Sequence, residues 1–320
     1  MSDRLAIGVD AGGTKIAGVL VRLESEPEIL DRRIVEMPAD DPEAAVESIV
    51  AVGRALLGNG PRARAFGVGA AGMVDLEGVM RFAPNVAWRN LPLADVVGSA
   101  IGLPAYADND ANVAAWGEFR FGAGRDVEHM LLVTVGTGIG GGIVSEGQLF
   151  RGASGFAAEI GHIVVEPGGP RCGCGNLGCW EQVASGRAIG RLGKEAAARD
   201  REGLLASLAG GDATLVDGPI VTSAAMRGDP AAIGVLAEVG RRLGQGIAGL
   251  VNVLDPQLVV VGGGAVEAGD LLLEPARRAY RGAVEGPDHR PVVEIVAARM
   301  GNDAGAVGAA HLALRQVDAS

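Results

Sequence analysis

All three cysteines of this 320-residue chain fall within eight positions of the stretch RCGCGNLGCWEQ, residues 171–182. Cys172, Cys174 and Cys179 form a C-x-C-x4-C pattern, and His162 precedes the first of them by ten residues. Three thiolates and one imidazole make a closed tetrahedral zinc set with no position left for a reacting water. Plain buried cysteines are the competing reading, but confinement to one polar, glycine-rich loop favours the metal. The zinc expected here is structural.

Carboxylates make the second group. Asp110 lies in ADNDAN, between an apolar strand pattern and a helix pattern, where Asp commonly serves as a helix N-cap. The same position suits a base aimed into a site. Asp10, in DAGGTK, can hold Mg²⁺ directly or through water, or can simply close an Asx-turn.

Glycine turns make the third group. Residues 136–141, GTGIGG, satisfy G-x-G-x-x-G, but the dinucleotide fingerprint must open a helix, and here IVSEGQLF returns as a strand. Neither glycine turn matches the phosphate-loop pattern G-x-x-x-x-G-K-[ST]. A strand–glycine–strand turn can still direct several backbone N–H groups at a phosphate. VDAGGTKIAGVLV and VTVGTGIGGGIVS share one layout, and a third cluster, Gly262–Gly264, follows an apolar strand. Together they point to a cleft for phosphates and a nucleoside.

The elements that must carry these groups are alternating strands and helices. LAIGV, IAGVLV, AFGVGAAG, AYADND, MLLVTV, QLVVV and VVEIVAA read as strands. Helices are expected at about 41–57, at ANVAAWGEF, at about 180–199, 220–227 and 230–254, and at GAVGAAHLALRQ. The class is α/β, and the length exceeds what one core usually serves, so two lobes are expected.

Composition excludes several functions. The net charge is −11 with no local basic patch, which disfavours nucleic acid as a partner. No apolar run is long enough to cross a bilayer, and the N-terminal residues lack a signal-peptide pattern. A cytoplasmic protein with no membrane partner is expected.

VDAGGTKIAGVLV, GAAG, NDANVAAWGE, VTVGTGIGGGIV, EIGH, CGCGNLGCWE and LVVVGGG, in this order from about residue 5 to 315, closely resemble the ROK family of repressors, open reading frames and kinases. Within it the chain is most similar to the actinobacterial glucokinase branch. The resemblance implies the two-lobed actin/hexokinase-like ATPase (ribonuclease H-like) fold with an interlobe cleft. Its small α/β lobe would comprise residues 1–109 plus 302–320. Its large lobe, 110–301, would carry the zinc loop.

It also implies ATP-dependent phosphorylation of glucose, with Asp110 as general base. The sugar would be bound by Gly72, Asn85, Asn109, Asp110, Glu159, His162 and Glu181. Asp10, Gly12, Gly13, Thr14, Lys15, Thr137, Gly138, Gly263 and Gly264 would bind Mg-ATP, and His162, Cys172, Cys174 and Cys179 the zinc. Homodimers or homotetramers are expected.

The alternatives are an N-acetylglucosamine, N-acetylmannosamine or fructose kinase, a polyphosphate-using glucokinase, or a sugar-sensing regulator. A regulator would need a DNA-reading segment, for which Asp10 in the first turn leaves little room. Ala11 and Asp108 depart from the family's usual residues, a larger apolar one and Glu, without touching a named role.

Overall fold

The computed structural model describes residues 4–58 and 63–319, and the chain divides into two compact units. The first takes the chain up to Leu132, Gly142–Ala158 and everything from Ala298 onward; the second takes Val133–Gly141 and Glu159–Ala297. The sequence reading ended the first lobe at residue 109, whereas this division also assigns 110–132 and 142–158 to it.

The chain opens with β1 (Leu5–Ala11), β2 (Lys15–Leu23), β3 (Pro27–Glu36) and α1 (Pro42–Leu57). Next come β4 (Phe66–Ala70), three short strands β5 (Met73–Val74), β6 (Met80–Phe82) and β7 (Arg89–Leu91), then α2 (Leu93–Ile101), β8 (Ala105–Asn109) and α3 (Asp110–Phe121). A second strand run follows: β9 (Met130–Val135), β10 (Ile139–Ser145) and β11 (Gln148–Phe150). Helices then dominate: α4 (Glu181–Ala184), α5 (Gly186–Arg199), α6 (Leu204–Leu208), α7 (Gly218–Met226) and α8 (Pro230–Leu254). The chain ends with β12 (Leu258–Gly262), α9 (Asp270–Arg281), β13 (Glu294–Ala297) and α10 (Ala304–Ala319). The helix expected over 180–199 is broken at Ser185, which lies in extended backbone between α4 and α5.

The two five-stranded sheets have one topology. Their orders are β3-β2-β1-β4-β8 and β11-β10-β9-β12-β13, each running third, second, first, fourth, fifth in its own strand sequence. The likeness of the two glycine-turn segments is therefore part of a whole-sheet repeat. In the first sheet β1 pairs antiparallel with β2 and parallel with β4, which pairs parallel with β8.

Alternation along β1 explains what faces what. Ile7, Val9 and Ala11 join a core with Ile49, Val52, Phe66, Val68, Leu93 and Val97, on the side of α1 and α2. Ala6 joins a second core with Val19, Val21, Ala306, Val307, Ala310 and Leu314 on the side of α10. Gly8 shares that second face, and a Cβ there would lie 1.8 Å from the Ala306 carbonyl oxygen. Asp10 is the next residue on the same face.

Candidate active site

Unit one gathers a carboxylate pair. Asp10 ends the side of β1 that faces α10, and the first turn of that helix runs so close that a Cβ at Gly305 would fall 2.7 Å from Asp10 Oδ2. Burial, then the charge of Asp110, pushes the Asp10 carboxyl up to about 7, with Lys15 opposing. Burial likewise raises the Asp110 carboxyl above the usual carboxylate range, against hydrogen bonds from the Ala111 and Asp110 amides.

Which residue caps α3 bears on the helix-cap reading of Asp110. Asn109 is the cap: its side-chain oxygen accepts from the Ala111 N–H at 2.9 Å and the Asn112 N–H at 3.1 Å. Asp110 is the first helical residue, not the N-cap, although its Oδ1 also accepts from the Ala111 N–H at 2.9 Å. The Asn109 amide also donates to the Gly72 carbonyl at 3.0 Å. Gly72 has φ 150°, and a Cβ there would meet the Phe82 carbonyl at 2.4 Å, so only glycine serves. Asn85 lies beside the first glycine turn, its Nδ2 2.8 Å from where a Gly13 Cβ would be. Asp10, Gly13, Gly72, Asn85, Asn109 and Asp110 thus form one neighbourhood.

The Gly12 N–H donates to the Lys15 carbonyl at 3.0 Å, and the Met37 N–H to the Thr14 carbonyl at 3.0 Å. Gly12 therefore closes the turn with the amide that the sequence reading assigned to a phosphate. Thr14 and Lys15 have exposed side chains.

Unit two gathers the metal-ligand set and the second glycine turn. The ligand atoms of His162, Cys172, Cys174 and Cys179 all lie within 4.8 Å of one another. Cys172 Sγ is 3.6 Å from His162 Nδ1, and the Cys174 and Cys179 sulfurs are 3.6 Å apart. Three soft thiols and an imidazole at this spacing are compatible with a structural zinc. Beside Cys179, Gly178, at φ 74°, tucks under Glu166, whose carbonyl oxygen would be 1.7 Å from a Gly178 Cβ. A short 3-10 turn, Ile160–His162, places His162, and Glu159 precedes it with an exposed side chain.

Glu181 connects the two features of this unit. Its Oε1 accepts from Cys172 Sγ at 3.1 Å, and its Oε2 would be 2.4 Å from a Cβ at Gly138. Gly136 donates to the Gly138 carbonyl and accepts from the Gly186 N–H at 2.8 Å, so the start of α5 backs the turn that carries Thr137 and Gly138. Gly263, at φ 83°, packs its Cα beside Val135, where a Cβ would be 2.6 Å from the carbonyl oxygen. Gly264 starts the 3-10 turn that follows.

One arrangement was missed by sequence reasoning. Asp108 is buried and receives four hydrogen bonds, one of them from Arg151 Nε at 2.6 Å. No sequence signal ties residues 43 positions apart.

A repeated sheet with glycine hairpins, a half-buried carboxylate pair in one unit and a Cys₃His set beside a glycine turn in the other define the actin/hexokinase-like class of α/β proteins. The ROK family model matches residues 6–316, and the chain belongs to that family. It is 45% identical over 313 residues to the glucokinase of Streptomyces coelicolor, covering 97% of both chains. Among solved structures it resembles a ROK family glucokinase from Streptomyces griseus in complex with glucose and AMPPNP, with a TM-score of 0.89 and 44% identity, covering 98% of this chain and 99% of that one. A ROK hexokinase from Thermus thermophilus matches with a TM-score of 0.78 and 33% identity, covering 99% and 100%. Among the described residues, no helix is long and apolar enough to cross a membrane.

Proposed function

We propose that the protein is an ATP-dependent glucokinase that transfers the γ-phosphoryl group of Mg-ATP to the 6-hydroxyl of glucose. The full-length similarity to Streptomyces glucokinases carries this reading. In the reaction, Asp110 accepts the hydroxyl proton as the sugar oxygen bonds to the γ-phosphorus and the bond from that phosphorus to the ADP oxygen breaks. A base whose pKa is raised by burial suits this task, and Asn109 rather than Asp110 is the N-cap of α3.

Asn109, Asn85 and the Gly72 backbone fix the sugar on one side; Glu159, His162 and Glu181 read further hydroxyls. His162 turns Nδ1 toward Cys172, so Nε2 is the nitrogen that would meet a sugar hydroxyl. Bound zinc would supply a rigid tether for the loop through His162, Cys172, Cys174 and Cys179. Asp10 would hold the Mg²⁺ of the nucleotide; two mutually repelling carboxylates beside a single lysine fit a hard cation. Gly13, Thr14, Lys15, Thr137 and Gly138 would contact the phosphates, and Gly263 and Gly264 the nucleoside.

The same reading includes a cytoplasmic location and assembly as a homodimer or homotetramer, which light scattering would check. The activity itself is tested by phosphorus NMR of the purified protein with glucose and Mg-ATP. ADP and glucose 6-phosphate should accumulate together. ATP that persists, or hydrolyses without a sugar phosphate, would overturn the proposal.

A further inference from the structure

Asp108 sits at the end of β8, one residue before Asn109 and two before Asp110. Its Oδ1 accepts from the Asn109 N–H at 2.7 Å and from Asn112 Nδ2 at 2.9 Å. Its Oδ2 accepts from Tyr106 OH at 2.5 Å and from Arg151 Nε at 2.6 Å. Arg151 lies just beyond β11, donates a second hydrogen bond to Tyr106 OH, and holds its guanidinium over the Tyr106 ring. Asp108 is 2% exposed, so its charge needs this partner. A carboxylate with both oxygens engaged by charged and neutral donors, one of them the amide of Asn109, fixes the backbone at the step into α3.

We propose that Arg151 and Asp108 act as a positioning pair, locking the Asn109–Asp110 step so that the Asp110 carboxylate meets the sugar hydroxyl in the reactive orientation. Neither touches substrate. The inference rests on the glucokinase reading for the role of Asp110. Displacing a base by about 1 Å can cost on the order of a hundredfold in rate, whereas a residue needed only for folding would lower stability and leave kcat per folded molecule intact.

The test compares Arg151→Met, Arg151→Lys and the double variant Asp108→Asn/Arg151→Met with the wild type. The double variant removes both charges, so it folds even if the lone buried carboxylate left by Arg151→Met does not. With whichever hexose the wild type phosphorylates best, Arg151→Met and the double variant should lose about 10- to 100-fold in kcat. KM for Mg-ATP should stay within about twofold, because the phosphate turns are untouched. Arg151→Lys should fall between them and the wild type, since one N–H contact survives.

Amide hydrogen exchange gives an arm that needs no activity: the Asn109, Ala111 and Asn112 amides should exchange about tenfold faster in both Met variants, with α10 unchanged. A folded double variant with kcat within about twofold of wild type, or with unaltered exchange at those amides, would overturn the pairing role. If the wild type phosphorylates no hexose, the glucokinase reading fails, and the exchange result alone decides the positioning claim.

Discussion

Cys172 Sγ lies 3.1 Å from Glu181 Oε1, so one side chain of the Cys₃His set touches one of the carboxylates proposed to read the sugar. The metal loop therefore borders a side chain that the proposal gives to the sugar. Cys174→Ser removes a different ligand, one with an exposed residue, and leaves the Cys172–Glu181 contact in place. Zinc content should fall from about one per chain, and KM for glucose should rise about tenfold or more, with KM for ATP little changed. Because most of the loop is exposed, the variant should still fold. Metal analysis with paired kinetics checks this; a zinc-free variant with unchanged glucose KM would separate the loop from the sugar.

Asp110→Asn should lower kcat by about 10²- to 10⁴-fold, the usual worth of a general base. Circular dichroism should be unaltered, since Asn109 caps α3. In the wild type, kcat should decline as pH falls toward the raised Asp110 pKa, because the base works only when deprotonated. A kcat within about threefold of wild type would reduce Asp110 to a structural residue.

His311 supplies a stability test independent of catalysis. Trp116 Nε1 donates to His311 Nδ1 at 2.8 Å, so the ring must be neutral at that nitrogen. Burial, aided by Arg120, Arg4 and Arg315, lowers its pKa from 6.5 to about 4. The unfolded chain thus binds more protons between those values. The stabilisation, up to about 3 kcal/mol, is present above pH 6.5 and is lost as pH falls toward 4. His311→Asn keeps an acceptor for Trp116 without titrating, so its melting temperature should depend less steeply on pH over this window. Parallel slopes for both proteins would show that another group dominates.

The Gly8 contact predicts a packing failure. A methyl group at Gly8 would sit 1.8 Å from the Ala306 carbonyl oxygen, and backbone lines both sides of the gap. Gly8→Ala should cost about 3 kcal/mol in urea unfolding, at the upper end of overpacking penalties. A loss below about 1 kcal/mol would mean that α10 can shift away from β1.

The chemistry-bearing spacings were legible because they are local. C-x-C-x4-C with His162 defines a ligand set before any fold is known, and the four atoms do converge. Strand–glycine–strand segments revealed a repeat that the structure extends to whole sheets. Asp110 was ambiguous in sequence because Asn and Asp stand side by side at a helix start and either can cap; only the hydrogen bonds of Asn109 decide. Gly12 was assigned to the phosphates with the rest of its turn, yet its amide turns inward to Lys15, a direction that the motif does not encode. Arg151 and Asp108 were invisible because polar residues 43 positions apart have no periodicity to join them. Asp108 even read as a neutral exchange for Glu.

The central claim, that this site phosphorylates glucose with ATP, is tested most directly by kcat/KM measured side by side for glucose, mannose, fructose, N-acetylglucosamine and N-acetylmannosamine with Mg-ATP, and for glucose with polyphosphate. The proposed hydroxyl-reading residues Asn109, Asp110, Glu159, His162 and Glu181, on a chain 45% identical to a glucokinase, predict the highest value for glucose with Mg-ATP. A tenfold preference for either N-acetylated sugar would contradict the glucose assignment, and a tenfold preference for polyphosphate would contradict ATP as the donor.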